Sequence, residues 1–96
     1  MNEKIILKLE NIIKQRKKSP KEDSYVSKLF NKGKIKIANK LGEEAVETIS
    51  AFLAEGTDDL LEESADLLFH LLIMLEAAEV SLDDVLLILK KRMKND

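Results

Sequence analysis

Carboxylates are concentrated in the middle of this 96-residue chain, beside its most apolar stretch. The segment GEEAVETISAFLAEGTDDLLEESADLLFHLLIML, residues 42–75, has no Lys or Arg. Two of its acidic clusters are Glu43, Glu44 and Glu47, then Glu62, Glu63 and Asp66. Carboxylate oxygens bind hard divalent cations, and they repel one another when no cation lies between them. Metal binding is therefore the first chemistry that these residue types suggest.

Charge is divided unevenly along the chain, although the net charge is only -2. Residues 1–40 contain twelve basic and four acidic side chains, whereas residues 41–89 contain thirteen acidic and no basic ones. A basic segment can bind phosphates and an acidic segment can bind a cation. The alternative is that both are solvated faces whose fields cancel in the folded protein.

The overall composition favours one small domain over residues 1–96, with 45% apolar residues and no cysteine. The absence of cysteine excludes disulfides, thiolate metal sites and cysteine nucleophiles. No apolar run reaches the roughly 18 residues that span a bilayer, and the charged N-terminus does not resemble a secretory signal. We expect a cytoplasmic protein with no membrane or nucleic-acid partner, since its basic residues are not interleaved with aromatics.

Apolar spacing predicts an all-α chain of five helices. A first helix over about 3–17 ends at Ser19-Pro20, and a short second helix is capped by Asp23 or Ser24 and stops at Gly33. A third helix then runs to Gly56, and Thr57 is expected to cap the fourth. Ser81 and Asp84 resemble a capping box for a fifth helix over about 82–94.

The third and fourth helices each place two carboxylates on one stripe. At 100° per residue, Glu44 and Glu47 share a stripe with Lys40. We expect this stripe to lie beside a core face formed by Ala38, Leu41, Ala45, Ile49 and Phe52. On the fourth helix, Glu63 and Asp66 share a stripe with His70, whereas Glu62 points about 100° away from Glu63 and is expected at the surface.

The fourth helix is apolar in nearly every direction from Leu67 to Leu75, with His70 as its one polar residue there. Such a helix is expected to be buried on every side. Its apolar surface exceeds what the other helices of so short a chain can cover. The sequence therefore predicts an obligate dimer or a larger oligomer.

Each of the two adjacent helices carries a pair of carboxylates three residues apart, and the two pairs can share one ion. Like charges about 4 Å apart repel by about 4 kcal/mol at an effective dielectric constant of about 20, so a cation is the natural partner. Oxygen ligands favour Mg²⁺ over Ca²⁺, with Mn²⁺ as a substitute. The alternative is a set of separate surface glutamates. His70 is either a satisfied core histidine or a support for the Asp66 carboxylate.

These motifs also resemble a known family. The pattern E-E-x-x-E, fifteen residues, then E-x-x-D is similar to that of the all-α MazG-like nucleoside triphosphate pyrophosphohydrolases. Within that superfamily the chain most resembles the phosphoribosyl-ATP pyrophosphatases, over nearly its whole length. The narrower likeness lies in residues 24–49, 60–75 and 80–86, although Val26 replaces the usual Thr and Phe69 a frequent Tyr.

The resemblance implies a dimeric helical bundle that hydrolyses phosphoribosyl-ATP to phosphoribosyl-AMP and pyrophosphate in histidine biosynthesis, with Mg²⁺. The implied metal ligands are Glu44, Glu47, Glu63 and Asp66. Glu43 is expected to orient water, act as the base or hold a second ion. The implied substrate-binding residues are Tyr25, Lys28, Lys36 and Lys40, the lysines at phosphates and Tyr25 at the sugar or base. Their alternative is a set of solvent-facing lysines on amphipathic helices.

Two other functions fit the same sequence. One is a housecleaning pyrophosphohydrolase for ordinary or damaged nucleotides, which substrate competition would distinguish. The other is a non-enzymatic helical interaction module whose acidic face binds a basic partner, which metal-dependent release of pyrophosphate would exclude. Either enzyme would have a small-molecule nucleotide as its partner. We expect no cyclohydrolase domain of the kind that some relatives carry, since 96 residues leave no room for it.

Overall fold

The computed structural model describes residues 2–95, and the side chains of residues 2–94. Its elements are α1 (Glu3–Lys18), α2 (Tyr25–Lys32), α3 (Lys34–Ala54), α4 (Thr57–Ala77) and α5 (Leu82–Arg92), followed by a 3-10 turn, Met93–Asn95. The described residues contain no β-strand. The expected all-α fold of five helices is therefore confirmed, with the last predicted turn of α5 formed as the 3-10 turn.

The helix ends follow from short-range hydrogen bonds and backbone conformation. Ser24 caps α2, since its hydroxyl accepts a hydrogen bond from the Ser27 amide at 3.2 Å. Gly33, with φ 97°, separates α2 from α3 in a region that favours glycine. At the start of α5, Ser81 and Asp84 form the predicted capping box.

The prediction that Thr57 caps α4 is wrong. Gly56 adopts the extended backbone of an N-cap, with ψ 177°, so Thr57 is already the first helical residue. α4 therefore begins without a side-chain cap, and Asp58 and Asp59 in its first turn complement the positive end of the helix dipole. α3 correspondingly ends at Ala54, two residues before the expected stop at Gly56.

The long helices α3 and α4 form a helical hairpin that supports the rest of the chain. α1 packs on α2 and α4, and α2 packs on α3. Their contacts bury a small apolar core made of Ile13, Val26, Leu29, Ile37, Leu72, Ile73 and Leu82. A core of this size is typical of a chain of about 100 residues, which hides only about 60–65% of its unfolded surface.

The face of α3 that packs on the chain is not the one expected from its apolar stripe. Its buried residues are Ile37, Glu44 and Ala51, spaced seven apart, so the packed face is centred on Glu44. A seven-residue spacing keeps one line of side chains against a neighbouring helix. The expected core face lies to one side of this line, and Ile49 and Phe52 are 57% and 71% exposed.

α4 is also less enclosed than expected. His70, Leu72 and Ile73 are buried, but Leu68 remains 43% exposed. Five helices supply too few neighbours to cover every side of α4 within one chain. The uncovered apolar surface on α3 and α4 consists of Ile35, Val46, Ile49, Phe52, Leu53, Leu61 and Leu68.

Polar contacts with α1 hold the far end of α4 and the start of α5. Lys14 Nζ lies 2.8 Å from a Glu76 carboxylate oxygen, and the Leu82 amide donates to Glu10 Oε2 at 2.8 Å. Beyond Leu82, the apolar residues 86–89 of α5 are about half exposed. In the described part of the chain, every helix is too short or too polar to span a bilayer.

Candidate active site

A cluster of three carboxylates lies in the seam between α3 and α4. Glu44, Glu63 and Asp66 each offer an oxygen, and these oxygens lie within 4.8 Å of one another. The Thr48 hydroxyl lies 2.7 Å from the Glu44 carbonyl oxygen and 3.0 Å from the Glu63 carbonyl oxygen. Thr48 therefore ties the two backbones together at the level of the cluster, which fixes the registry of the carboxylates.

Glu44 is the most enclosed member of the cluster, with only 6% of its surface exposed. Its Oε1 lies 3.5 Å from Lys40 Nζ, but its Oε2 is buried with no hydrogen-bond partner. A buried polar atom without a partner costs about 1–3 kcal/mol, and more when it carries charge. This oxygen is therefore available to a ligand that supplies positive charge.

Neighbouring carboxylates raise the pKa of Glu63. The pKa of Glu63 rises from 4.5 to about 7, because the Glu47 carboxylate accepts its proton in a hydrogen bond, burial disfavours its charge, and Glu44 and Asp66 repel it. Glu47 thus lies against Glu63, although outside the group of three. Glu62 is exposed and outside that group, as expected.

These residues fit a hard divalent cation. The ligand set is oxygen only, it spans two helices, and it contains a buried carboxylate oxygen without a partner. The raised pKa of Glu63 is the response expected of carboxylates that lie close together in one site. The acidic cluster can therefore bind a metal ion.

Lys40 lies at the edge of the cluster. Its Nζ is 3.4 Å from Glu43 Oε2 as well as 3.5 Å from Glu44 Oε1. Burial lowers the pKa of Lys40, but Tyr25, Glu43 and Glu44 outweigh that effect, and the net pKa is raised. Lys40 therefore stays charged at neutral pH. Glu43 is more open, with its side chain 55% exposed.

All four residues predicted to bind substrate line one pocket of about 260 Å³. Its lining is Tyr25, Lys28, Leu29, Lys32, Lys36 and Lys40. We call it the lysine pocket. Lys32 is not among the substrate-binding residues predicted from the sequence. It follows Lys28 by four residues on one face of α2 and therefore points to the same side. Lys40 joins this pocket to the carboxylate cluster.

His70 connects the pocket to α4 by a route that differs from the expected one. His70 Nδ1 lies 2.8 Å from the Asp66 backbone carbonyl oxygen, not against its carboxylate. Since a carbonyl only accepts, Nδ1 carries the proton, and in the neutral ring Nε2 accepts from the Tyr25 hydroxyl at 2.6 Å. Burial is the main cause of a raised Tyr25 pKa, so Tyr25 remains a donor.

The model of the family described as phosphoribosyl-ATP pyrophosphohydrolase matches residues 6–93. The chain belongs to the phosphoribosyl-ATP pyrophosphohydrolase family. A protein named phosphoribosyl-ATP pyrophosphatase from Pyrobaculum arsenaticum is 47% identical over 94 residues, which cover 98% of this chain and all of that protein. Its counterpart in Zymomonas mobilis is 45% identical over 96% of this chain and 86% of its own length.

A third relative in the phosphoribosyl-ATP pyrophosphohydrolase family is longer. The histidine biosynthesis bifunctional protein HisIE of Pyrococcus furiosus is 47% identical over 90 residues, 94% of this chain and 42% of that protein. The match thus covers one part of a bifunctional relative. The resemblance seen in the sequence is confirmed, and the chain is a member of a family of hydrolases.

The raised pKa of Glu63 predicts an unusual pH dependence of stability. Without metal, the free energy of unfolding should fall as pH rises from 4.5 to about 7, because the native state keeps a proton that the unfolded chain has released. Urea unfolding in EDTA at several pH values measures this. Glu63→Gln should flatten the profile in that window and Glu62→Gln should not. Identical profiles for wild type and Glu63→Gln would contradict the assignment.

Proposed function

We propose that this chain, as a single domain, hydrolyses phosphoribosyl-ATP to phosphoribosyl-AMP and pyrophosphate, with Mg²⁺, in cytoplasmic histidine biosynthesis. The observation that carries the proposal is the contact of Lys40 with Glu44, which joins a cluster of carboxylates to a pocket of lysines. Cleavage of a phosphoanhydride requires this combination of a metal site with fixed positive charges. Membership of the family supplies the substrate.

The proposed ligands of Mg²⁺ are Glu44, Glu47, Glu63 and Asp66. Glu44, Glu63 and Asp66 already converge, and Glu47 lies against Glu63. When bound, Mg²⁺ neutralises phosphate oxygens and polarises the bond that breaks. The protein contributes the enclosure of Glu44 and the registry set by Thr48, so that these carboxylates need little rearrangement.

The lysine pocket is the proposed site of the triphosphate. Lys28, Lys36 and Lys40 hold phosphate oxygens, with Lys32 as a further cation in the same pocket. Tyr25 contacts the sugar or base, in an orientation fixed by its hydrogen bond to His70. Because Lys40 also contacts Glu44, it holds the triphosphate close to the carboxylates.

Glu43 is the residue proposed to orient the attacking water, accept its proton or hold a second ion. It is one position from Glu44 yet more open to solvent, and it shares the contact with Lys40. Water therefore reaches Glu43 at the border between the carboxylates and the pocket. A general base has to lie within hydrogen-bond distance of the proton that it accepts.

We also propose a homodimer. The uncovered apolar surface on α3 and α4 includes Phe52 at 71% exposure, Leu53 at 74% and Leu61 at 64%. Several large apolar side chains exposed on two adjacent helices are typical of an interaction surface. A second copy of the chain would cover it with a surface of the same character, as symmetric dimers do.

Removal of single carboxylates should separate activity from stability. Asp66→Asn and Glu47→Gln keep the side-chain shape but remove a negative ligand, so each should lower pyrophosphate release from phosphoribosyl-ATP by orders of magnitude. Each should leave the metal-free protein as stable or more stable, because repulsion is relieved. Activity and melting temperature in EDTA measure these effects, with Glu62→Gln as the control. Retained activity in both variants would refute the ligand assignment.

Loss of a lysine should act mainly on substrate binding. Lys40→Ala and Lys28→Ala each remove a charge-assisted phosphate contact worth about 1.5–3 kcal/mol. Each should therefore raise KM clearly while the melting temperature changes little. Lys8→Ala, on the exposed surface of α1, is the control. Wild-type KM and kcat in both variants would mean that the lysines only face solvent.

The dimer is tested by sedimentation. Wild type should sediment as a dimer or larger species at micromolar concentration, and Phe52→Asp should weaken the assembly, because it places a charge in the proposed interface. Lys8→Asp changes charge outside that surface and should not. A stable, folded wild-type monomer at micromolar concentration would contradict the proposal.

A further inference from the structure

A second basic pocket lies where the end of α1 and the following loop meet α2. Its volume is about 450 Å³, within the range of about 300–1,000 Å³ typical of small-molecule sites. Its lining consists of Arg16, Lys17, Pro20, Lys21, Glu22, Ser27, Lys28, Phe30 and Asn31. Four of these side chains are basic and one is acidic. We call it the α1–α2 pocket, and the function proposed above uses only Lys28 of its lining.

The buried Ser27 hydroxyl organises this pocket. It accepts a hydrogen bond from the Lys21 amide at 3.0 Å and donates one to the Arg16 carbonyl oxygen at 3.2 Å. One side chain of α2 thereby fixes the backbone of two basic residues, one at the end of α1 and one in the loop. Only 6% of the Ser27 surface is exposed, so this arrangement is part of the folded structure.

Positive charge remains available at this pocket. Lys17 Nζ is engaged with the Glu76 carbonyl oxygen at 2.8 Å. Arg16 and Lys21, in contrast, form no ion pair with any carboxylate of the described residues. An arginine and a lysine that line the same pocket are well suited to bind a phosphate monoester, since the guanidinium group can donate to two phosphate oxygens at once.

Lys28 lines both the α1–α2 pocket and the lysine pocket. At 100° per residue, the lysine-pocket residues Lys32, Tyr25 and Leu29 occupy one side of α2 and Ser27 and Phe30 the other. Lys28 lies at the border, so the two pockets are neighbours. One elongated ligand with a phosphate group at each end can therefore reach both.

We propose that the α1–α2 pocket binds the phosphate of the substrate's phosphoribosyl group, with Arg16 and Lys21 as its main contacts. This inference rests on the function proposed above. Phosphoribosyl-ATP carries a triphosphate at one end and a phosphate monoester on its second ribose at the other. The triphosphate occupies the lysine pocket beside the carboxylates, and the monoester occupies the α1–α2 pocket. ATP lacks that second group, so the pocket selects against it.

The test compares two substrates in wild type, Arg16→Gln and Lys21→Gln. One substrate is phosphoribosyl-ATP, and the other is ribosyl-ATP, which lacks only the phosphate of the phosphoribosyl group. In wild type, ribosyl-ATP should have a kcat/KM about 10- to 100-fold lower, the range expected for a charge-assisted contact. With phosphoribosyl-ATP, Arg16→Gln should lower kcat/KM by a similar factor and Lys21→Gln by a smaller one. With ribosyl-ATP, both variants should have the kcat/KM of wild type.

Two controls distinguish the possible failures. Lys36→Gln, in the lysine pocket, should lower kcat/KM for both substrates by the same factor, and Lys8→Gln should change neither. Equal losses on both substrates in Arg16→Gln, or a wild type that is indifferent to the missing phosphate, would overturn this inference and leave the proposed function intact. A wild type without activity on phosphoribosyl-ATP would instead refute the proposed function. Retained activity on ribosyl-ATP shows that a variant is folded.

Discussion

The enclosure of the Glu44 carboxylate in the seam between α3 and α4 is the constraint on which the site depends. One of its oxygens faces Lys40 and the other is buried without a partner. Folding therefore buries a carboxylate oxygen whose contacts a cation from outside can complete. A buried polar atom without a partner lowers stability, and such local costs are common where a protein carries function. Glu63 and Asp66 complete the cluster, because they face Glu44 across the seam.

The hairpin of α3 and α4 makes this enclosure possible. Its connection is only two residues long, which limits the registry of the two helices, and Thr48 joins them directly beside the carboxylates. α2 packs on α3 and brings its lysines and Tyr25 to the same end of the hairpin. The segregation of charge along the sequence thus becomes two adjacent surfaces, one lined by lysines and one by carboxylates.

Much of this arrangement is predictable from the sequence, because it depends on local periodicity. The two i, i+3 carboxylate pairs, the lysine set and the helix ends at Ser24 and Ser81 are determined within one or two helical turns. Packing partners are not local. The apolar stripe at Ile49 and Phe52 predicted the wrong buried face for α3, because hydrophobicity alone does not show which apolar surface a neighbouring helix covers. The Tyr25–His70 contact joins residues 45 positions apart, and no spacing in the sequence indicates it.

We propose that these carboxylates form one metal site and that a proton partly neutralises their charge when no ion is bound. Proton release on metal binding tests it most directly. Titration of the protein with Mn²⁺ at pH 6 in buffers of different ionisation enthalpy should show release of about one proton per ion bound, since the pKa of Glu63 is about 7. The release should largely disappear at pH 8.5 and be absent in Glu63→Gln. Binding at pH 6 without proton release, or unchanged release in Glu63→Gln, would contradict the account.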